Sequence, residues 1–225
     1  MTRISVLLAD DHAVLRAGLR LLLDAQSDMA VVGEAADGIE VTQKVKELRP
    51  DVVVLDLSMP GPRSGTVIRQ VRRACSSTRV LVLSLHDDAA YVRSSLFAGA
   101  AGYLVKRAAD TELMSAIRAV HAGRTFVDLT RPTGRKASLH RERIVGEAEA
   151  PKRLSAQERT VLRLLAQGHA NQAIADRMRL SVKTVETYRT RLSQKLGLKG
   201  RAQLYRFAAE SGILDAEPVT RRRRR

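Results

Sequence analysis

Cysteine occurs once in the 225 residues, at Cys75, and tryptophan does not occur at all. One thiol cannot build a disulfide framework, and no Cys/His cluster stands at zinc spacing, so both kinds of stapled scaffold are excluded. Aromatic residues make up only 3%, too few for a surface that grips single-stranded nucleic acid by base stacking. No apolar run approaches the roughly 18 residues that a membrane span requires. The start, Met1-Thr-Arg-Ile-Ser, enters a strand-like run with no signal segment before it. These absences predict a soluble, cytoplasmic chain without membrane contact, whose core draws on 44% apolar residues.

Negative charge is scarce in one half only. Residues 1–127 carry 16 Lys/Arg against 14 Asp/Glu, whereas residues 128–225 carry 23 against 10. The second half remains basic even without the terminal Arg221–Arg225. Such asymmetry points to a polyanionic partner for that half, although a solvated surface and tail would give the same count. A chain of this length accommodates two domains and a linker.

In the first half, apolar runs at 4–9, 29–35, 51–56, 80–85 and 102–105 alternate with helical patterns at 14–23, 39–48, 66–74, 89–98 and 111–121. Asp110 is positioned to cap the last of these helices. Five strands alternating with five helices predict an α/β fold, a doubly wound five-stranded parallel sheet. Right-handed crossovers bring all carboxyl ends to one edge, where Asp10, Asp11, Asp56, Ser84 and Lys106 each follow an apolar run. Residues 128–153, poor in apolar residues, read as a linker. From Leu154 the pattern is helical throughout. Ser155-Ala-Gln-Glu158 fits a capping box, Asn171 and Ser181 are placed to cap the next two helices, and residues 202–211 form a fourth. Four short helices with a tight turn between the second and third suit a helix-turn-helix domain at 154–214, followed by a basic tail at 215–225.

Three carboxylates at one sheet edge repel one another. At about 4 Å and an effective dielectric near 20, each pair costs about 4 kcal/mol. A hard divalent cation removes that conflict, and a site built mostly of carboxylates suits Mg²⁺. Metal, ammonium and hydroxyl around one carboxylate are what an acyl phosphate needs, with Asp56 as the nucleophile. Taken singly, Asp-Asp is a capping turn, Ser84 a strand-end hydroxyl, Tyr103 a core ring and Lys106 a surface charge; their joint placement at strand ends argues otherwise.

Ala9-Asp10-Asp11-His12, Asp56-Leu-Ser-Met-Pro60, Ser84 and Gly99-Ala-Ala-Gly102-Tyr-Leu-Val-Lys106 together resemble the receiver domain of bacterial two-component response regulators, over about residues 3–124. The resemblance implies that Asp56 is the phospho-acceptor. It implies Asp11, Asp56 and the backbone carbonyl of Ser58 as direct Mg²⁺ ligands, with Asp10 acting through water, and Lys106 against the phosphoryl group. Ser84 and Tyr103 would form a switch pair, the ring turning inward, while Ser58 and His86 occupy positions that tune dephosphorylation. Two departures from the family pattern stand out: Arg107 replaces the usual proline after the lysine, and the loop from Asp56 to Gly65 is one residue longer than usual, with an added proline at 60–62. His12 and His121 read as structural or surface residues, and Cys75 as helix-end packing.

In the basic half, Leu154-Ser-Ala-Gln-Glu158, Val161-Leu162, Gly168, Asn171, Ile174-Ala175, Leu180-Ser-Val-Lys183-Thr184-Val185 and Lys195-Leu196-Gly197 resemble the LuxR-type helix-turn-helix of the NarL/FixJ subfamily. The third helix has an apolar stripe, Val185, Tyr188, Leu192 and Leu196. Its opposite face carries Lys183, Glu186, Thr187, Thr190 and Gln194, suited to the major groove. Thr184, Arg189, Arg191, Lys195 and Lys199 lie beside it, the basic ones suited to phosphates. The resemblance implies Glu186, Thr187 and Thr190 as base readers.

The whole therefore resembles a phosphorylation-dependent transcription regulator rather than an enzyme. Implied partners are a sensor histidine kinase, double-stranded operator half-sites and a second copy on phosphorylation, with RNA polymerase also admitted. The resemblance also implies that the unphosphorylated receiver can mask the recognition helix, with residues 202–211 as the contact. Two rivals remain: a constitutive DNA binder whose receiver serves only protein contacts, and a Mg²⁺-dependent phosphatase. Against the second, haloacid-dehalogenase-type enzymes want an aspartate two residues after the nucleophile, where Ser58 stands.

Overall fold

A computed structural model describes residues 3–128, 154–198, 200–211 and 213–214. The predicted linker beyond Asp128, Lys199 and the Arg221–Arg225 tail lie outside the described residues.

The strands are β1 (Ile4–Ala9), β2 (Met29–Ala35), β3 (Val52–Asp56), β4 (Arg79–Ser84), β5 (Gly102–Val105) and β6 (Phe126–Asp128). They form one parallel sheet in the order β2-β1-β3-β4-β5-β6. Helices α1 (Ala13–Asp24), α2 (Gly38–Leu48), α3 (Ser64–Ala74), α4 (Ala89–Ala98) and α5 (Ala109–His121) alternate with the strands. Every residue of β3 is buried, as a strand covered on both faces requires. One apolar cluster joins the sheet to α1 and α5, the other joins it to α2, α3 and α4.

The sheet has six strands rather than the expected five. Phe126–Asp128 adds a three-residue strand beside β5, too short to show periodicity, and it carries the domain one residue past the expected boundary at 127. β4 stops at Ser84, leaving Leu85 exposed. Asp110, expected to precede α5, lies inside the helix, which follows directly on a 3₁₀ turn at Lys106–Ala108. Gly99 ends α4 with φ +110°, and its missing Cβ lets the Arg72 side chain lie against it.

The second domain has α6 (Ala156–Ala166), α7 (Asn171–Met178), α8 (Val182–Leu196) and α9 (Gly200–Glu210). The capping box forms as expected: Ser155 Oγ accepts from the Glu158 amide at 3.1 Å, and Glu158 Oε2 accepts from the Ser155 amide at 2.8 Å. Ser181 caps α8, accepting from Thr184 N at 3.1 Å. Asn171 does not cap α7. It is the first helical residue, behind Ala170, and its Oδ1 accepts from Arg189 at 3.2 Å. Val185, Leu192 and Leu196 are buried as the stripe predicts, with Leu204, Phe207 and Ala208 packed in the same core.

The two domains share part of that core. Ala90 of α4 is fully buried in the helical domain's cluster, and the Phe97 ring meets Phe207 edge to face at 5.4 Å. Arg93 donates to the Leu196 carbonyl and Arg69 to the Ser211 carbonyl. Arg206 pairs with Asp88 at 2.6 Å. At Gly65, in the first turn of α3, an added Cβ would collide with the Glu210 backbone.

Candidate functional site

Register places the acidic site. Ala9 stands opposite Leu55 and Asp56 opposite Leu83, so Asp10 and Ser84 flank Asp56 from the neighbouring strands. Ser84 in turn faces Val105, which puts Lys106 at the same edge. Asp10, Asp56 and Ser84 are buried. Lys106 Nζ lies between two of the carboxylates, 2.7 Å from Asp10 Oδ2 and 2.8 Å from Asp56 Oδ2. Burial disfavours its ammonium, but the hydrogen bonds and charges of Asp10 and Asp56 outweigh that and hold its pKa above the ordinary lysine value. The Ser58 amide donates to Asp56 Oδ1 at 3.3 Å, so this residue sits beside the acid as its number suggested.

Asp10, Asp11, Asp56 and His12 place possible ligand atoms within 4.8 Å of one another. Three carboxylates offer the hard oxygen donors that Mg²⁺ favours, and the exposed rim at Asp11 leaves room for the water ligands that it retains. The donor set therefore fits the ion, with His12 the least suited member. His12 was read from the sequence as structural or surface. Its ring lies 3.2 Å from Asp10 Oδ1 and 2.9 Å from Asp11 Oδ1, at the rim of the cluster. Adjacency to Asp10-Asp11 was the available signal, and a lone histidine beside a capping turn gave no reason to weight it.

The Tyr103 ring is already fully buried, whereas the resemblance had it turn inward on switching. Its hydroxyl donates to the His86 carbonyl at 2.7 Å, and the His86 amide donates to Ser84 Oγ at 3.2 Å. Burial pushes the phenol's pKa up, against a smaller opposing effect of Ser84. The His86 ring stacks on Tyr91, 4.1 Å between centroids and 3° from parallel, and Arg206 of α9 lies 5.7 Å over the Tyr91 ring. Ser84, Tyr103, His86, Tyr91 and Arg206 thus form one contiguous path to the second domain. Tyr91 and Arg206 were missed in the sequence because their meeting joins residues 115 positions apart. Cys75 caps the end of α3; its hydrogen bond with Ser77, at 3.1 Å, draws its thiol pKa down to about 7.

On α8, Lys183, Glu186, Thr187, Thr190, Arg191 and Gln194 are exposed. Thr187 and Thr190 donate their hydroxyls to the Lys183 and Glu186 carbonyls, at 3.0 and 3.1 Å, which leaves their methyl groups for contact. Thr184 bonds Ser181 at the helix start. Lys195 departs from expectation. It pairs with the buried Glu158 at 2.6 and 2.8 Å, so its charge is engaged within the domain. Arg189 is half-buried and held on Asn171. The receiver covers α9 and the end of α8, and leaves the rest of the outer face of α8 open.

Residues 6–118 match the family model "Response regulator receiver domain", and residues 152–208 match "Bacterial regulatory proteins, luxR family". The oxygen regulatory protein NreC of Staphylococcus aureus is 39% identical over 214 residues, covering 93% of this chain and 99% of that protein. A structure of two RcsB dimers bound to two parallel DNAs is similar with a TM-score of 0.65 at 29% identity, over 93% of this chain and 99% of that one. RcsB from Salmonella enterica serovar Typhimurium, bound to promoter P1flhDC in the presence of phosphomimetic BeF3-, gives the same values.

Proposed function

The chain belongs to the bacterial response regulators that join a receiver domain to a LuxR-type DNA-binding domain, and from that premise we propose that phosphorylation of Asp56 controls operator binding by α8. The observation that carries this reading is the ammonium of Lys106 held between Asp10 and Asp56 at the carboxyl edge of the sheet.

In this reading a histidine kinase presents its phosphohistidine to the site. An Asp56 carboxylate oxygen attacks phosphorus, the P–N bond breaks, and the histidine nitrogen leaves with the electron pair. Lys106 keeps its bond to Asp10 and moves from Asp56 Oδ2 to a phosphoryl oxygen, while the Ser84 hydroxyl donates to another. Mg²⁺, held by Asp10, Asp11, Asp56 and the Ser58 carbonyl, would supply electrostatic stabilisation of the phosphoryl oxygens. The single charge of the Asp56 carboxylate is replaced by about two on the phosphoryl oxygens, beside the β4–α4 segment. Once its hydroxyl turns to the phosphoryl group, Ser84 no longer holds the His86 amide, and the path through Tyr91 to Arg206 loses its anchor. Release of α9 frees the helix for pairing with a second copy, and the two α8 helices then read symmetric half-sites. The receiver acts on no separate substrate, and the reaction belongs in the cytoplasm with the kinase's catalytic part.

Acetyl phosphate tests the first half: the chain should incorporate label, and Asp56→Asn should not. Labelling retained in Asp56→Asn would remove the assignment. Selection from a random duplex pool tests the second half. Thr187→Ala should change the preferred sequence, whereas Arg191→Ala should weaken all sequences alike and reduce the salt dependence. DNA affinity indifferent to phosphorylation would favour a receiver used only for protein contacts.

A further inference from the structure

The sheet edge opposite Asp56 carries a second, smaller site. Because the strands are parallel, the starts of β4, β5 and β6 lie together at that edge. Between them is a cavity of about 190 Å³. Arg72 from the last turn of α3, Thr78 and Arg79 at the start of β4, and Arg124 and Thr125 before β6 line it. The volume corresponds to about six water molecules at the density of the liquid.

The three arginine side chains that line this space are exposed. Several other arginines of this domain are paired with carboxylates. Arg16 and Arg20 pair with Glu34, and Arg118 pairs with Asp28. Among the described residues no carboxylate is placed within ion-pair distance of Arg72, Arg79 or Arg124. The plainest alternative is that they neutralise helix ends. Arg72 does so in part, donating to the Gly99 carbonyl at 3.3 Å beyond α4. The carboxyl ends of α4 and α5 each contribute about half a negative charge, which offsets roughly one of the three positive ones. About two remain. Thr125 adds a hydroxyl donor at the rim, and guanidinium forks match phosphoryl oxygens two at a time.

We propose that this cavity binds a small oligophosphate anion of the pyrophosphate class. Its negative charge is at least that of the uncompensated pair, and the space accommodates phosphoryl groups. Arg72 is held against Gly99, where any Cβ would stand 2.7 Å from its Cδ, so one arm of the site is fixed in advance. The site shares no residue with the acidic cluster or the face of α8.

Sodium pyrophosphate titrated into the full-length chain tests this, followed by ¹H–¹⁵N NMR in EDTA so that no metal–pyrophosphate complex reaches Asp56. Saturable shifts of the Gly99, Gly123 and Thr125 amides are expected, with Kd below about 1 mM. Arg79→Ala combined with Arg124→Ala should raise Kd at least about tenfold, as the loss of two charge-assisted contacts requires, while amides elsewhere stay put and report an intact fold. The matching pair of lysine substitutions should fall between. Three outcomes would overturn the proposal: no shift at these amides, shifts reproduced by sodium chloride of equal ionic strength, or a Kd unchanged in the double alanine variant. Shifts there with a short DNA duplex but none with pyrophosphate would also overturn it, and would assign the arginines to nucleic-acid backbone. None of these outcomes touches Asp56 labelling, so this site and the proposed function fail separately.

Discussion

Lys106 bridges two of the carboxylates of the acidic site. Its folded pKa lies above the unfolded value of 10.5, so its contribution to stability is complete below that value and is lost as pH rises through the higher folded one. Lys106→Met should therefore lower stability at pH 7 by about 1–3 kcal/mol, the cost of leaving buried acceptors unpaired. It should also abolish the loss of stability expected of the parent as pH rises above 10.5. Urea denaturation across that range checks both, and an unchanged alkaline profile would show that the ammonium stabilises nothing. At this scale the sequence was informative where an acid or base ends an apolar run, because the fold sends every strand end to one edge. Asp10, Asp56, Ser84 and Lys106 are all of that kind. It was uninformative where a side chain's partner comes from a distant helix. Nothing local to Lys195 indicates Glu158, and nothing near Tyr91 indicates Arg206.

Helix and strand boundaries followed the same logic. Asp37, Asp88, Ser155 and Ser181 cap helices because each precedes a helix whose first amides need an acceptor. Asp110 and Asn171 have the same chemistry but are themselves helical, Asn171 as the first residue of α7 and Asp110 within α5, which a 3₁₀ turn feeds directly. β6 escaped notice because three residues cannot display a period of two. Within the helical domain the main electrostatic tie links α6 to α8. Glu158 is buried, and burial alone would raise its carboxyl pKa; Lys195 and the Ser155 amide more than reverse this, leaving it below the ordinary value of 4.5. A depressed folded pKa stabilises above the unfolded value, and that stabilisation is lost as pH falls through the folded one. Lys195→Ala should cost about 1–3 kcal/mol at pH 7 by leaving a buried carboxylate one partner short. The deficit should shrink below pH 4.5, where Glu158 protonates. Thermal unfolding at pH 7 and pH 4 distinguishes this from a simple surface lysine, which would cost nothing at either. Weakened DNA binding without loss of stability would instead return Lys195 to the DNA contacts first expected of it.

The domains meet through an apolar patch, Ala90 and Phe97 against Phe207, edged by hydrogen bonds and the Arg206–Asp88 ion pair. The ion pair is worth about 1 kcal/mol at most. The resemblance implied that the receiver masks the recognition helix, with residues 202–211 as the contact; here it covers α9 and leaves the outer face of α8 exposed. Gly65 offers a selective test. Alanine there favours α3 by about 0.5–1 kcal/mol as helix propensity, yet its Cβ would strike the Glu210 backbone, which cannot yield as a flexible side chain can. Gly65→Ala should leave acetyl-phosphate labelling intact, enlarge the unphosphorylated chain in small-angle scattering, and raise its DNA affinity several-fold. An unchanged radius together with unchanged affinity would show that the contact does not restrain binding.

That contact also gives the molecule two different responses to its own abundance. Closure of α4 on α9 takes place within one chain, so the closed fraction is set by an effective local concentration and stays constant however much protein is made. The proposed pairing of two copies on an operator would instead rise with protein concentration. At low abundance phosphorylation would be needed both to open the chain and to favour pairing. At high abundance the small open fraction would pair without it, and the cell's stock of the regulator would itself become part of the signal.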